Sequence, residues 1–165
     1  MRTRIEILEI TDYPITLADV KKELGINHDL RDKFLKGCLD RAIEYVSMNV
    51  GRAMATMEVT QVHTNDEATG VKQYNLWLHP VKEITSLVNL DTSEEFNPVL
   101  TGYLNRFITT DTRNFAINYT TAPVEFPDRY IPIIVQYISM LFDGVTDREA
   151  HLTLSGMLNQ TVDTL

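Results

Sequence analysis

One cysteine, Cys38, in 165 residues rules out an intramolecular disulfide and any zinc site built from several thiolates. Basic charge is also short: 15 Lys and Arg stand against 23 Asp and Glu, a formal charge of −8. The cations form no cluster, so nothing supplies the phosphate neutralisation that avid duplex binding needs. Long apolar runs are missing too. The longest, residues 131–142, is broken by Pro132, Gln136 and Ser139 and is too short to span a bilayer, so no membrane partner is expected. The opening Met1-Arg2-Thr3-Arg4-Ile5-Glu6 lacks an apolar signal core and a small-residue cleavage site, which speaks against export by a standard signal peptide. The seven glycines are scattered, with no phosphate-cradling loop, dinucleotide fingerprint or G-x-S-x-G elbow among them. What remains is 44% hydrophobic and 23% charged, a composition that suits one packed domain.

Residues 1–15 mix apolar and charged positions and suggest no element. Thr16 then stands as an N-cap with Asp19 three residues on, and Leu17, Val20 and Leu24 share one helical face ahead of Gly25. A longer helix is expected from Asp29 to about Gly51-Arg52. Its apolar stripe comprises Leu30, Phe34, Cys38, Ala42, Tyr45 or Val46, and Asn49 or Val50, widened by Leu35, Leu39 and Ile43. From residue 53 to about 121 the texture becomes alternating β-branched and aromatic, predicting four or more strands near residues 57–63, 74–78, 84–90, 103–109 and 115–119. The last two look like a hairpin joined by residues 110–114. Pro127 and Pro132 flank the start of a third helix running to about Phe142, apolar almost all round and expected to be the most buried element. Residues 145–165 are polar, with sparse apolar positions at Leu152, Leu154, Met157, Leu158, Val162 and Leu165, and suggest a tail with little core of its own. Fully extended, that tail would reach roughly 70 Å at about 3.3 Å per residue, far enough to lie on a neighbouring subunit.

Catalytic and metal-binding patterns are not found. His28, His63, His79 and His151 make no i, i+3 or i+4 pair and have no nearby cysteine, so no metal site is expected. Cys38 falls on the apolar face of the long helix, the ordinary place for an inert buried thiol. Asp66-Glu67, Asp91, Glu94-Glu95, Asp143 and Asp147 are better read as solvated loop charge than as Mg²⁺ ligands or an acid–base pair. Trp77, Tyr74, Tyr103, Phe107, Phe115 and Tyr119 lack the basic partners of a base-stacking platform and fit the packed face of a sheet. The expectation is a non-enzymatic chain with no catalytic, metal or cofactor-binding residues. Asn118-Tyr119-Thr120 and Asn159-Gln160-Thr161 match the glycosylation acceptor by chance, since no export signal accompanies them.

The order of the segments carries a resemblance. Pro14-Ile15-Thr16-Leu17-Ala18-Asp19-Val20-Lys21-Lys22-Glu23-Leu24-Gly25-Ile26 leads into a helix ending Asn49-Val50-Gly51-Arg52-Ala53. His79-Pro80-Val81-Lys82-Glu83-Ile84-Thr85-Ser86-Leu87 follows as a proline-led strand, Asn118-Tyr119-Thr120-Thr121-Ala122 as the strand before the last helix, and Asp147-Arg148-Glu149-Ala150 as a charged turn. Over residues 14–165 this resembles the head-tail connector, adaptor or head-completion family of long-tailed phages. It departs from the family pattern at Pro123, where a glycine is usual, and in a longer insert between strands.

The resemblance implies an α+β fold: a small helical bundle of three main helices with an inserted antiparallel β-sheet and an extended C-terminal tail. A single connector domain, residues 1–165, would comprise a helical part at 16–52, a β-rich insert at 53–122, a core helix at 127–143 and a docking tail at 145–165. It also implies a structural virion protein of the neck, assembled in the host cytoplasm into a homo-oligomeric ring, a dodecamer in the virion. The ring would dock on the portal after packaging and link it to a downstream stopper or tail protein while DNA passes through without sequence-specific binding. A closed ring uses two different patches per subunit, and the tail positions Leu152, Leu154, Met157, Leu158, Val162 and Leu165 are the expected docking residues on a neighbour or the portal. An acidic lumen, in keeping with the −8 charge, would let DNA slide. The alternative is another phage neck or tail-completion binding module. A small hydrolase or nuclease would need carboxylates or histidines converging in a pocket.

Overall fold

A computed structural model of the chain describes residues 2–65, 70–102, 105–124 and 127–162. Among the described residues the chain forms α+β structure in two compact units. Met1–Asp12 with Gly51–Val124 carries the strands β1 (Arg2–Thr11), β2 (Thr56–Thr64), β3 (Lys72–Asn75), β4 (Val81–Asn89), β5 (Val99–Thr101), β6 (Phe107–Thr110) and β7 (Phe115–Thr121). Tyr13–Val50 with Glu125–Leu165 carries the helices α1 (Leu17–Glu23), α2 (Asp32–Val50), α3 (Ile131–Phe142) and α4 (Asp147–Val162).

The strand unit is built on period-2 alternation. Met57, Val59, Gln61 and His63 of β2 are buried, and Phe115, Ile117, Tyr119 and Thr121 of β7 line the same face. The two strands pair antiparallel with Phe115 opposite His63 and Tyr119 opposite Val59, inside a sheet of order β1-β2-β7-β4. A second antiparallel sheet, β3-β6-β5, supplies Tyr74 and Ile108 to the same core, where Tyr74 meets Phe115 edge-on at 4.9 Å. The residues expected to form one sheet therefore form two.

Two strand expectations need correction. Residues 1–15 contain a ten-residue strand, β1, paired with β2 from Arg2 opposite Thr64 to Thr11 opposite Thr56. Its alternation Ile5, Ile7, Ile10 is masked by a bulge between Ile7 and Glu9, which inserts Leu8 and breaks the period. The expected hairpin of residues 103–109 with 115–119 does not form. β6 and β7 lie in different sheets, because the connection between them carries the chain from one layer to the other. Asn114 holds that connection through its side-chain oxygen to the Asn65 N–H (3.0 Å) and its carbonyl to the Leu90 N–H (2.8 Å). Tyr103 lies outside the described residues.

In the helical unit, α1 opens on a complete capping box. The Asp19 N–H donates to Thr16 Oγ1 (3.1 Å) and the Thr16 N–H to Asp19 Oδ2 (3.2 Å). Gly25, at φ +67°, takes the left-handed position after α1 and Gly51, at φ +70°, the one after α2. The buried stripe of α2 is Leu35, Cys38, Leu39, Ala42, Ile43, Tyr45 and Val46. Leu30 and Phe34, expected on that stripe, lie outside it, with Leu30 90% and Phe34 44% exposed. Phe34 is one residue, about 100° of helix, away from Leu35, and Leu30 precedes the first turn of α2. After a turn of 3₁₀ helix at Pro127–Tyr130, α3 buries Ile133, Ile134, Tyr137, Ile138 and Leu141 and leaves Pro132 and Gln136 exposed.

The extended tail is also corrected, and among the described residues three main helices become four. Residues 147–162 are helical, begun by a second capping box in which the Thr146 N–H and Oγ1 donate to Glu149 Oε2 (3.1 and 2.8 Å). Ala150, Leu154 and Leu158, spaced i, i+4, are buried. This stripe is only one residue wide and includes an alanine. Thr153, Ser155 and Gly156, which fill the outer face, are weak helix formers, so neither periodicity nor propensity marks the helix strongly.

Candidate assembly surfaces

Helix α4 is held to its unit by a polar clasp as well as by its apolar stripe. Tyr45 of α2 stacks on His151 of α4 at 4.2 Å and on Tyr137 of α3 at 5.1 Å, and its hydroxyl donates to the His151 carbonyl (3.0 Å). The Tyr137 hydroxyl donates to Asp147 Oδ1 (3.0 Å) and lies 2.9 Å from His151 Nε2. An ionised Asp147 only accepts, so the single Tyr137 proton goes to it and His151 Nε2–H donates to the phenol oxygen. Arg41 closes the chain with Nη1 3.2 Å from Asp147 Oδ2. Burial, together with the Asp147 carboxylate, raises the Tyr137 hydroxyl pKa well above the usual phenol value. The clasp borders a groove of about 540 Å³ that Met48, Leu152 and Ser155 help to line.

The expected docking positions are thereby sorted. Leu154 (0% exposed) and Leu158 (3%) pack inside their own unit, whereas Leu152 (70%) and Met157 (36%) face outward. The physical reason is the helical turn: positions 154 and 158 share the face of Ala150, and 152 lies about 160° from 154. The side chain of Val162 and all of Leu165 lie outside the described residues.

The remaining sequence candidates disperse. Among the described residues no three His, Cys, Asp or Glu side chains gather to hold a metal ion. His28 and His151 are exposed, while His63 and His79 are buried. Cys38 is buried, and desolvation pushes its thiol pKa up, the opposite of nucleophile activation. Asp91, Glu94 and Glu95 share one exposed turn of the strand unit, Asp143 is exposed in the helical unit, and Asp66 and Glu67 lie outside the described residues. Tyr74, Phe115 and Tyr119 are core and Trp77 is 44% exposed.

Sequence reasoning missed one constellation in the strand unit. Gln61 Oε1 accepts from the Trp77 N–H (3.0 Å) and the Tyr119 hydroxyl (3.1 Å), while its Nε2 donates to the Asn75 carbonyl (2.8 Å) and to His63 Nε2 (2.7 Å). It ties β2, β3 and β7 together. A glutamine at a core position of an alternating strand was the available signal. Desolvation holds the His63 imidazole pKa down to about 4.

The order and spacing of these helices and strands can be set beside known proteins. Residues 14–74, covering α1, α2, β2 and most of β3, match the model of a phage gp6-like head-tail connector protein family. The chain resembles head-tail connectors. Among solved structures, a chain from the neck of an empty gene transfer agent (GTA) particle computed with C6 symmetry superposes with a TM-score of 0.59 at 13% identity, covering 84% of each chain. One from the neck of a native GTA particle computed with C12 symmetry gives 0.56 at 14% identity, covering 84% of this chain and 83% of that one. One from the virion of a native GTA particle gives 0.57 at 15% identity and 86% coverage of both. At these identities the likeness establishes the fold. No curated protein matches. The likeness in fold to these neck and virion chains thus covers about five sixths of the chain, beyond residues 14–74.

Proposed function

We propose that this protein is a structural subunit of a virion neck, a head-tail connector that assembles as a ring at the junction between a phage-like capsid and its tail. The observation that carries the reading is the coincidence of two independent likenesses: the connector family model over residues 14–74, and the fold of neck chains in gene transfer agent particles over most of the chain. The role is structural and not catalytic, in keeping with the family and with side chains that serve to hold helices and sheets. Twelve copies is the proposed ring size, since it accommodates both symmetries with which the similar necks were computed. The ring sits under the portal after packaging and hands on to a stopper or tail protein, with DNA passing through a lumen that the net charge of −8 keeps non-adhesive.

Docking on the portal or a neighbouring copy uses the outward side of α4, where Leu152 and Met157 are exposed, while Leu154 and Leu158 keep the helix on its unit. The decisive experiment is depletion of the protein during particle production followed by electron microscopy, with labelled protein added back. The expected result is DNA-filled heads without tails, rescued by label at the vertex. Normal tailed particles without the protein would refute the assignment.

A further inference from the structure

The start of α2 carries an apolar hollow whose lining charges, among the described residues, are all positive. Leu30 and Phe34 are the exposed side chains named above, Gly37 leaves open space where a Cβ would stand, and the hollow measures about 650 Å³. Arg31, Lys33 and Arg41 complete its lining, and among the described residues no carboxylate does, in a chain with eight more acids than bases. Arg41 is engaged by Asp147, and Arg31 rests over the Phe142 ring at 5.3 Å. Among the described residues, Arg31 and Lys33 have no carboxylate partner. An exposed apolar surface with uncompensated charge of one sign fits a partner segment that is apolar and of the opposite sign.

The strand unit presents such a segment. Between β4 and β5 the chain turns at Leu90-Asp91-Thr92-Ser93-Glu94-Glu95, with Leu90 45% exposed and all three carboxylates at the surface. The turn is rigid. The Asn89 side chain accepts from the Asp91 N–H (2.8 Å), the Glu94 carbonyl accepts from the Asn89 N–H (2.9 Å), and Asn114 Nδ2 donates to Asp91 (3.0 Å). Glu94 and Glu95 have no ion-pair partner among the described residues. A preformed tip loses little entropy on docking, and Leu90 beside acids mirrors Leu30 and Phe34 beside bases.

We infer that the Leu30–Phe34 hollow of one copy receives the acidic Leu90–Glu95 turn of the next copy, so that these are the two unlike patches of a head-to-tail ring contact. A heterologous contact of this kind needs two different complementary surfaces on every subunit, and these two are complementary in both polarity and charge. The inference rests on the ring reading above, and it specifies the contact.

The test uses full-length protein in native mass spectrometry and sedimentation at low and high salt. The variants are R31E with K33E, E94K with E95K, and an equimolar mixture of the two doubles, each first matched to wild type by circular dichroism and thermal unfolding. Wild type is expected to form rings, weakened by salt. Each double alone raises the concentration for half-assembly by roughly 100-fold, because like charges then face each other. The mixture restores rings in which the two doubles alternate, since each reversed hollow then meets a reversed turn. Wild type that stays monomeric to hundreds of micromolar would remove the ring reading itself. Rings that persist in both doubles, or doubles that fail alone and also fail when mixed, would leave that reading standing and overturn this contact.

Discussion

Acid should loosen the strand unit through His63. Gln61 is oriented by two donors to its oxygen, so its amide nitrogen must donate toward His63 Nε2, and that nitrogen must carry a lone pair. The imidazole proton therefore sits on Nδ1, which lies 3.2 Å from Thr3 Oγ1 of β1. A second proton on Nε2 would set two N–H donors against each other at 2.7 Å in a pocket walled by Tyr74 and Phe115. This geometry, with desolvation, agrees with a folded-state value of about 4 against the ordinary 6.5. The unfolded chain takes up its proton first as pH falls below 6.5, and the folded chain resists until about pH 4. Stability is therefore intact above pH 6.5 and falls between 6.5 and 4, by about 3 kcal/mol in all. The assay is urea unfolding at half-unit steps of pH, followed by the fluorescence of Trp77, the one tryptophan of the chain, which lies in the same unit. H63F is the reference: the carboxylates and the buried His79, whose pKa desolvation also lowers, titrate in both proteins, so the difference between the two curves isolates His63. Parallel curves for wild type and variant across that window would refute the reasoning.

Three further outcomes follow from the helical unit. L154A empties a fully buried site and should cost ~2–5 kcal/mol, whereas L152S, at an exposed site, should stay within about 0.5 kcal/mol; equal effects in denaturant titrations would contradict the rotation of α4. T146A removes the side-chain half of the capping box, the Thr146 Oγ1 that accepts from the Glu149 N–H and donates to the Glu149 carboxylate, and should cost about 1 kcal/mol, read as lower thermal stability with reduced helical signal. Y137F breaks the clasp between α3 and α4 and should speed hydrogen exchange over residues 147–162 at least several-fold; unchanged protection there would show that the apolar stripe alone holds the helix.

Local rules account for what was legible in the one-dimensional pattern. The Thr16–Asp19 box, the left-handed glycines after α1 and α2, and the alternation of β2 and β7 involve partners within a few residues or a strict period, so neighbouring letters suffice to reveal them. The α+β class and the connector likeness, which depends on the order of such segments, were readable for the same reason. Other features were decided by groups far apart in the chain. β1 exists because β2 offers it an edge, and its bulge hides its period. Residues 147–162 are a helix on a narrow stripe because Tyr45 and Tyr137, 106 and 14 residues from His151, supply the clasp. Which apolar side chains of the chain are left for a partner was likewise undecided in one dimension. Leu30 and Leu154 look alike in sequence, yet one is almost wholly exposed and the other wholly buried. Composition and spacing determine which side chains seek cover, but cover is a property of surfaces in three dimensions, and only the packed helices decide which of them find it within one copy.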